Sequence, residues 1–476
     1  MRNKLSKLLL LLALVSSLTF GPARAAGPTG ADGLADPLFP LLGNGGYDAL
    51  HYTLDLKPAM EQESLSGTVT MEARATQDLA AFNLDFAGFT IRQLTVNDAP
   101  AQYTRSTHEL TITPAKPLKM GDTFTTAITY DGSPETSSVD GIETGWRWYN
   151  NGSFAANEPA GAAGWFPVND HPLDKASYTF RVTVAKPYVV AANGLLKNTI
   201  DNGDTTTYLW EESKPMASYL ATVDIARYTM QTDKSPGGVA IRNYFPEGMA
   251  PEETQMYSRT REMIDFFSSI YGPYPFDVYG VVIADTELGF ALETQTLSLF
   301  GRTRSANRRV GQIAPEEVVA HELSHQWFGD SVSLKSWEDI WLNEGFATYS
   351  QFLWLEHVSG KDALDSRMRG IYRLLDTQRG TGETGRPDVQ TLFDTNLIYL
   401  RGSLVLHALR MHVGDETFFN IMRTYADRFR YSNANTADFI KVANEVSGQD
   451  LTSFFQTWLF DSKLPAIPEI GLSPSA

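Results

Sequence analysis

His321-Glu322-Leu323-Ser324-His325, followed after eighteen intervening residues by Glu344 in Trp-Leu-Asn-Glu-Gly-Phe-Ala, constrains this chain more than any other stretch. An H-E-x-x-H segment presents its two imidazoles together only as a helix, where residues four apart lie on one face. A carboxylate from the next helix completes a set of two histidines and one glutamate. That set leaves a fourth position open, the pattern of a catalytic zinc site. This part of the chain is therefore expected to fold as two neighbouring helices. Pro315 suits a first helical turn, Glu316 and Glu317 face the positive end of the helix dipole, and Val318, Val319, Leu323 and Phe328 supply apolar packing, with Gly329 as a stop. Ser336 is the expected cap of the second helix, with Asp339 in a capping-box position, and that helix should run to about Ser359 or Gly360. The short Asp-Ser-Val-Ser-Leu-Lys link makes the two helices antiparallel neighbours, so that Glu344 points back at His321 and His325.

Zinc in such a site is held at roughly 2.0–2.1 Å by nitrogen and at a similar distance by carboxylate oxygen. It lowers the pKa of water to about 7 and polarises a carbonyl. Glu322 sits one residue after a ligand, beside the ion rather than on it. It is the candidate general base, taking a proton from water and returning it to the leaving amine. The chain has eight histidines. A chance H-E-x-x-H in such a chain occurs on the order of one time in a hundred, and a correctly placed glutamate cuts that by about ten to twenty. His51, His108, His171, His357, His407 and His412 show no ligand spacing and are expected to be structural or surface residues.

The rest of the chain sets the frame. With 476 residues, 42% of them hydrophobic, it can bury a large core in two or more domains. Residues 1–25 read as a secretory signal: Arg2, Lys4 and Lys7 precede an apolar run from Leu8 to Phe20, and Ala23-Arg24-Ala25 fits a cleavage site. An uncleaved anchor is the alternative, but the run is short for a membrane span, so the expectation is a secreted or periplasmic protein cut after Ala25, with no membrane attachment once the signal is removed. The formal charge of −17 becomes −21 without the four basic residues of that segment, which argues against nucleic acid as a partner. There is no cysteine, so disulfides and cysteine metal sites are excluded. Residues 26–46, rich in Gly, Pro and Ala, read as a flexible lead-in. From 47 to 233, alternating segments such as HYTLDL, GTVTMEA and SYTFRVTV, separated by turn signals, predict an all-β domain. KSPGG at Lys234–Gly238 is the expected junction. Residues 234–476 predict an α-rich domain: a helix from Pro251, a buried strand VYGVVIAD, the two motif helices, and helices near 362–376, 396–413, 415–430 and 454–460.

These residues resemble the aminopeptidase N family of zinc peptidases, the gluzincins of peptidase family M1. Ala291–Thr294 (ALET) is similar to the exopeptidase motif G-A-M-E-N, Asn157–Pro172 to the stretch ending in F-P-x-x-D-x-P, and Tyr399–Gly402 (YLRG) to Y-x-K-G. The resemblance covers about residues 45–465. It implies a multidomain α+β fold, with a saddle-like all-β N-terminal domain followed by a thermolysin-like, α-rich zinc peptidase domain. It implies one catalytic zinc ion on His321, His325 and Glu344, with Glu322 as base. It also implies peptide substrates with a free N-terminus, whose ammonium needs negative charge when buried; by position Glu293 and Glu158 supply it. Tyr399 is implied as the donor to the oxyanion, a role worth a few kcal/mol. Three residues depart from the family pattern: Phe290 for glycine, Thr294 for asparagine and Arg401 for lysine, the last keeping charge but not geometry. The chain looks like a short, two-domain form with a more open cleft that admits longer peptides. Three other readings are an endopeptidase with no amine anchor, an inert peptide-binding module, and the epoxide hydrolase activity of one relative. The preferred first residue and the oligomeric state are not legible.

Overall fold

The computed structural model describes residues 27–139, 141–302, 314–377 and 382–474. The expected signal segment and its cut after Ala25 lie outside these residues. Among the described residues, no helix is long and apolar enough to cross a membrane.

The alternating N-terminal segments form strands as their period of two requires. In Tyr47–Ala59, Tyr52, Leu54 and Leu56 are buried. This strand runs parallel to Ala176–Ala185 and antiparallel to Ser64–Ala75 at the centre of an eight-stranded sheet. A second, five-stranded sheet contains Ile142–Tyr149 paired with Gly152–Ala156. Every residue of Gly152–Ala156 is buried, and this strand leads directly to Glu158. A six-stranded sheet then joins Tyr228–Lys234, Ala240–Pro246, Val281–Ala284, Ser298–Gly301 and Ala291–Leu292, with Val278–Tyr279 beside Ala240–Pro246. Its short strand Ala291–Leu292 ends at Glu293.

Three expectations change here. The junction expected at Lys234–Gly238 is a hairpin turn: Gly238 N–H donates to the Ser235 carbonyl at 2.9 Å, and Tyr228–Lys234 pairs along its length with Ala240–Pro246. Pro-Gly-Gly is as much a turn signal as a linker signal, and the hairpin it closes lies in the sheet that also holds Val281–Ala284 and Ser298–Gly301. The single strand expected from VYGVVIAD is split at Gly280, where a Cβ would lie 1.6 Å from the Arg242 carbonyl oxygen. The helix expected from Pro251 begins as a short turn, Pro251–Thr254, and the long helix is Thr260–Tyr271.

The remaining helices are Pro315–Ser324, Trp341–Ser359, Lys361–Thr377, Arg401–Val413, Asp415–Arg428, Thr436–Ser447 and Thr452–Phe460. Thr436–Ser447 was not anticipated, although Asn435 caps it by accepting from Asp438 N–H at 2.9 Å, which is sequence-level capping chemistry.

Within residues 27–46 much of the surface is exposed, but Gly30, Asp36, Gly43 and Asn44 are buried. Asp36 is 3% exposed. Its Oδ1 accepts from the N–H groups of Leu38 (2.9 Å) and Phe39 (3.0 Å), and its Oδ2 from His171 Nε2 (3.1 Å) and Trp337 N–H (2.8 Å). One side chain thus ties the β domain to the turn that opens the Glu344 helix. Burial alone raises a carboxyl pKa, but these donors outweigh it and bring Asp36 down to about 2. The folded value lies below the unfolded one, so this stabilisation is present above about pH 4 and fades as pH falls toward 2. Asp36→Ala leaves buried donors unpaired and is expected to cost about 3 kcal/mol. Urea unfolding at pH 7 reads it directly, and the gap between variant and parent should shrink between pH 4 and 2.

Candidate active site

The helix Pro315–Ser324 starts as its sequence asks. Pro315 holds the first position, and the Glu317 side chain accepts from Ala314 N–H at 3.2 Å, closing an otherwise free donor. His325 is the cap residue rather than an interior one. The chain then turns back over the His325 ring at Gly329 (φ +133°), where a Cβ would meet His325 Nδ1 at 3.2 Å. The link Asp330–Lys335 contains a short strand, Val332–Leu334, pinned in parallel to Ser432–Ala434. Ser336 caps a single 3-10 turn, Trp337–Asp339, and this feeds the helix Trp341–Ser359 that carries Glu344.

This return brings the three expected ligands together. His321 Nε2 lies 3.1 Å from Glu344 Oε2, and His325 Nε2 lies 3.6 Å from the same oxygen. The ligand atoms of all three lie within 4.8 Å of one another. His325 Nδ1 is 3.0 Å from the Phe328 carbonyl; donating there leaves Nε2 turned to the shared point, the outer-partner arrangement usual for a ligating histidine. Two other groups are equally compact, Glu293–Glu322–His325 and Glu158–Glu293–Glu344. Neither offers two imidazoles, so the His321–His325–Glu344 set fits zinc best.

Glu293 enters from the end of its strand. Its carbonyl accepts from Gln326 Nε2 (3.1 Å), and its Oε1 accepts from the Tyr219 hydroxyl (3.3 Å), which itself accepts from Asn343 Nδ2 (3.3 Å). Glu158 follows Asn157, whose buried amide fixes the turn by donating to the Ala221 carbonyl (2.7 Å) and accepting from Trp165 Nε1 (2.9 Å). Among the described residues, Glu158 Oε1 is buried with no hydrogen-bond partner. Tyr399 sits on a π-helical turn, Thr395–Leu400, and its ring stacks on His321 with centroids 6.1 Å apart. Such turns recur at functional positions.

Glu158, Glu293, Glu322, Glu344, Tyr399 and both histidines line one cavity of about 320 Å³. Among the described residues, five glutamates and no lysine or arginine face it. Burial, then neighbouring carboxylates such as Glu293, pushes Glu158 well above the usual carboxyl range. Burial first does the same to Glu322. Burial also opposes charge on Glu344, but His325 and His321 outweigh it and hold Glu344 at about 2. Burial disfavours a charged His325, yet Glu293 and Glu344 raise it well above its ordinary value. The cavity therefore favours bound positive charge. Tyr399 is raised well above 10, first by burial and then by Glu344 and Glu158, so its hydroxyl keeps its proton as a donor.

The seven expected site residues converge. The departures resolve differently. Phe290 lines the cavity. Thr294 is fully buried, its hydroxyl on the Leu297 carbonyl, and does not line it. Arg401 points away, into a cage of carbonyls. Sequence reasoning missed Glu143, Thr144, Phe393 and Thr395 in the lining, and Tyr219, Gln326 and Asn343 behind it. Gln326 and Asn343 flank ligands in sequence and were within reach of inspection. Tyr219 comes from the β domain and carries no local signal.

Comparison with known proteins agrees with this geometry. Residues 256–458 match the peptidase family M1 domain, and residues 48–220 match the peptidase M1 N-terminal domain. A solved M1 zinc metallopeptidase from Deinococcus radiodurans, bound to a Tyr-Ser-Ala substrate, superposes with a TM-score of 0.84 at 31% identity, covering 93% of this chain and 100% of that one. The chain is 25% identical over 401 residues to a protein named "Probable aminopeptidase 1" from Sulfurisphaera tokodaii, covering 81% of this chain and 50% of that protein. It is 25% identical over 453 residues to glutamyl aminopeptidase of Bitis rhinoceros, covering 88% of this chain and 47% of that protein. The chain thus spans about half the length of the curated relatives it matches. A β-rich unit followed by a helical unit, a two-histidine and one-glutamate cluster at their meeting point, and matches to both halves place this chain in peptidase family M1, the zinc metallopeptidases.

Proposed function

We propose that this protein is an aminopeptidase that removes the first residue of peptides, and that it works after export from the cytoplasm. The observation that carries the first part is that Glu158 and Glu293 share one small cavity with His321, His325, Glu344 and Tyr399. An endopeptidase has no use for two further buried carboxylates beside its metal ligands, whereas a buried substrate ammonium needs them. The basic, apolar and Ala-x-Ala pattern of residues 1–25 supports export. We divide the chain into a β unit that supplies Glu158 and a catalytic unit, beginning near Tyr228, that supplies the rest.

His321, His325 and Glu344 would hold the zinc, which when bound would supply Lewis acidity toward a carbonyl oxygen and acidify water. Glu293 and Glu158 take the substrate's α-ammonium between them and so fix which peptide bond reaches the centre. Tyr219 and Gln326 hold Glu293 in place for this. Glu322 accepts a proton from the attacking water and delivers it to the departing amine nitrogen. Tyr399 O–H donates to the carbonyl oxygen as negative charge gathers there. Glu143, Thr144 and Ala156 of the β unit, with Phe290, wall the cavity.

The test is a panel of matched peptides with free and N-acetylated ends, assayed with the parent and with Glu293→Ala. The parent should cleave only the free peptides. Glu293→Ala strands part of a buried ion pair and should lose about 10²- to 10³-fold in kcat/KM on them. Rapid internal cleavage of blocked peptides by the parent would instead make the protein an endopeptidase.

A further inference from the structure

Two glycines hold the zinc-ligand helix and the tyrosine turn in direct backbone contact. Gly345 follows Glu344 inside the helix Trp341–Ser359, and Gly402 lies three residues after Tyr399 in the first turn of Arg401–Val413. Glycine weakens a helix relative to alanine, so a pair of buried helical glycines calls for a reason in packing. A Cβ on Gly402 would lie 2.8 Å from Gly345 Cα. A Cβ on Gly345 would lie 2.9 Å from Gly402 Cα and 3.0 Å from its carbonyl carbon. Those neighbours are backbone and cannot rotate aside. Gly370, in the helix Lys361–Thr377, shows the contrast: a Cβ there meets nothing within 4 Å.

The turn that carries Tyr399 has little slack to absorb a shift. At its start, Asp394 Oδ1 accepts from the N–H groups of Asn396 (2.9 Å) and Leu397 (2.7 Å). At its end, the Arg401 guanidinium donates to the carbonyls of Trp458 (3.0 Å), Ser462 (3.3 Å), Gly382 (3.4 Å) and Asp461. Between these anchors, the tyrosine ring lies against His321. Separation of the two helices therefore moves Tyr399 relative to the ligands.

We propose that the Gly345–Gly402 contact sets the distance from Tyr399 to the metal ligands, and that Gly402 is a positioning residue acting through Tyr399. This rests on the reading of Tyr399 as the oxyanion donor.

The experiment measures kcat, KM, zinc content and Tm on an aminoacyl arylamide. The variants are Gly402→Ala, Gly370→Ala and Tyr399→Phe, with Gly402→Ala also combined with Tyr399→Phe. Gly402→Ala should lower kcat about 10- to 100-fold, as misplacement of a reacting group by a fraction of an ångström to one ångström does. KM should stay within about twofold and zinc should be retained, because the ligand set is intact. Gly370→Ala should leave kcat unchanged. In the Tyr399→Phe background, adding Gly402→Ala should cost less than about twofold, since the hydroxyl it displaces is already gone. A folded Gly402→Ala protein with full kcat, or an equal loss in both backgrounds, overturns the proposal. Full kcat in Tyr399→Phe overturns the oxyanion reading itself, which distinguishes the two failures. If Gly402→Ala gives no folded protein, Gly345→Ala carries the same test from the other side of the contact, since its Cβ would lie 2.9 Å from Gly402 Cα. Its kcat loss should again be confined to the Tyr399 background, and an equal loss in both backgrounds or a full kcat overturns the proposal.

Discussion

Glu322→Gln should lower kcat by about 10²- to 10⁴-fold, the range a positioned general base contributes. The amide has the size and shape of the carboxyl, so the helix and the cavity wall stay as they are. What disappears is the ability to take a proton. Glu322 is 5% exposed, lines the cavity, and belongs to a compact group with Glu293 and His325. It makes none of the close contacts that join Glu344 to the histidines. Zinc content should therefore equal that of the parent, and KM should change little, because the ammonium site and the ligands are untouched. The combination of a low kcat with full zinc is the signature of a base. Retention of more than about a tenth of the parent kcat would assign the proton transfer to another group.

How far that site was legible follows from what kind of signal each residue carries. His321, Glu322 and His325 are fixed by helical period within five residues, and Glu344 by a helix whose cap and end are written locally. Their convergence at 3.1–3.6 Å needed only a short link between two helices. Glu158, Glu293 and Tyr399 have no such pattern of their own; resemblance placed them, and three separate chain segments bring them to one cavity. What escaped was non-local or ambiguous. The Ser-Pro-Gly-Gly segment carries turn chemistry that suits either a linker or a hairpin, and only the pairing of Tyr228–Lys234 with Ala240–Pro246 decides it. Residues 27–46 lack periodicity, so nothing local shows that Asp36 and Asn44 bond to partners 135, 301, 125 and 41 positions away. Tyr219 supports Glu293 from 74 residues off. The π turn at Thr395–Leu400 reads as ordinary helix because its apolar spacing is helical over the next three turns.

Glu344→Ala should abolish activity and zinc binding together, whereas Glu293→Ala should lose activity and keep its zinc. The contrast matters because three compact groups of potential ligands overlap here and Glu293 belongs to two of them. If the ion sat among Glu293, Glu322 and His325, loss of Glu293 would empty the site and loss of Glu344 would not. Loss of a direct ligand should weaken zinc by more than the roughly 10- to 100-fold that loss of an outer partner costs. The effect can be read without any substrate. A ligand that binds only the folded state stabilises it by about 4 kcal/mol when its free concentration is a thousand times Kd. The parent and Glu293→Ala should both show a Tm that climbs with added zinc, and Glu344→Ala should show none over the same range. The zinc-free Glu344→Ala protein should also melt below the zinc-free parent, because His321 and His325 lose the carboxylate they share, and breaking a buried pair costs about 3–5 kcal/mol. Stoichiometric zinc in Glu344→Ala would place the ion among the other carboxylates and return Glu344 to a structural role.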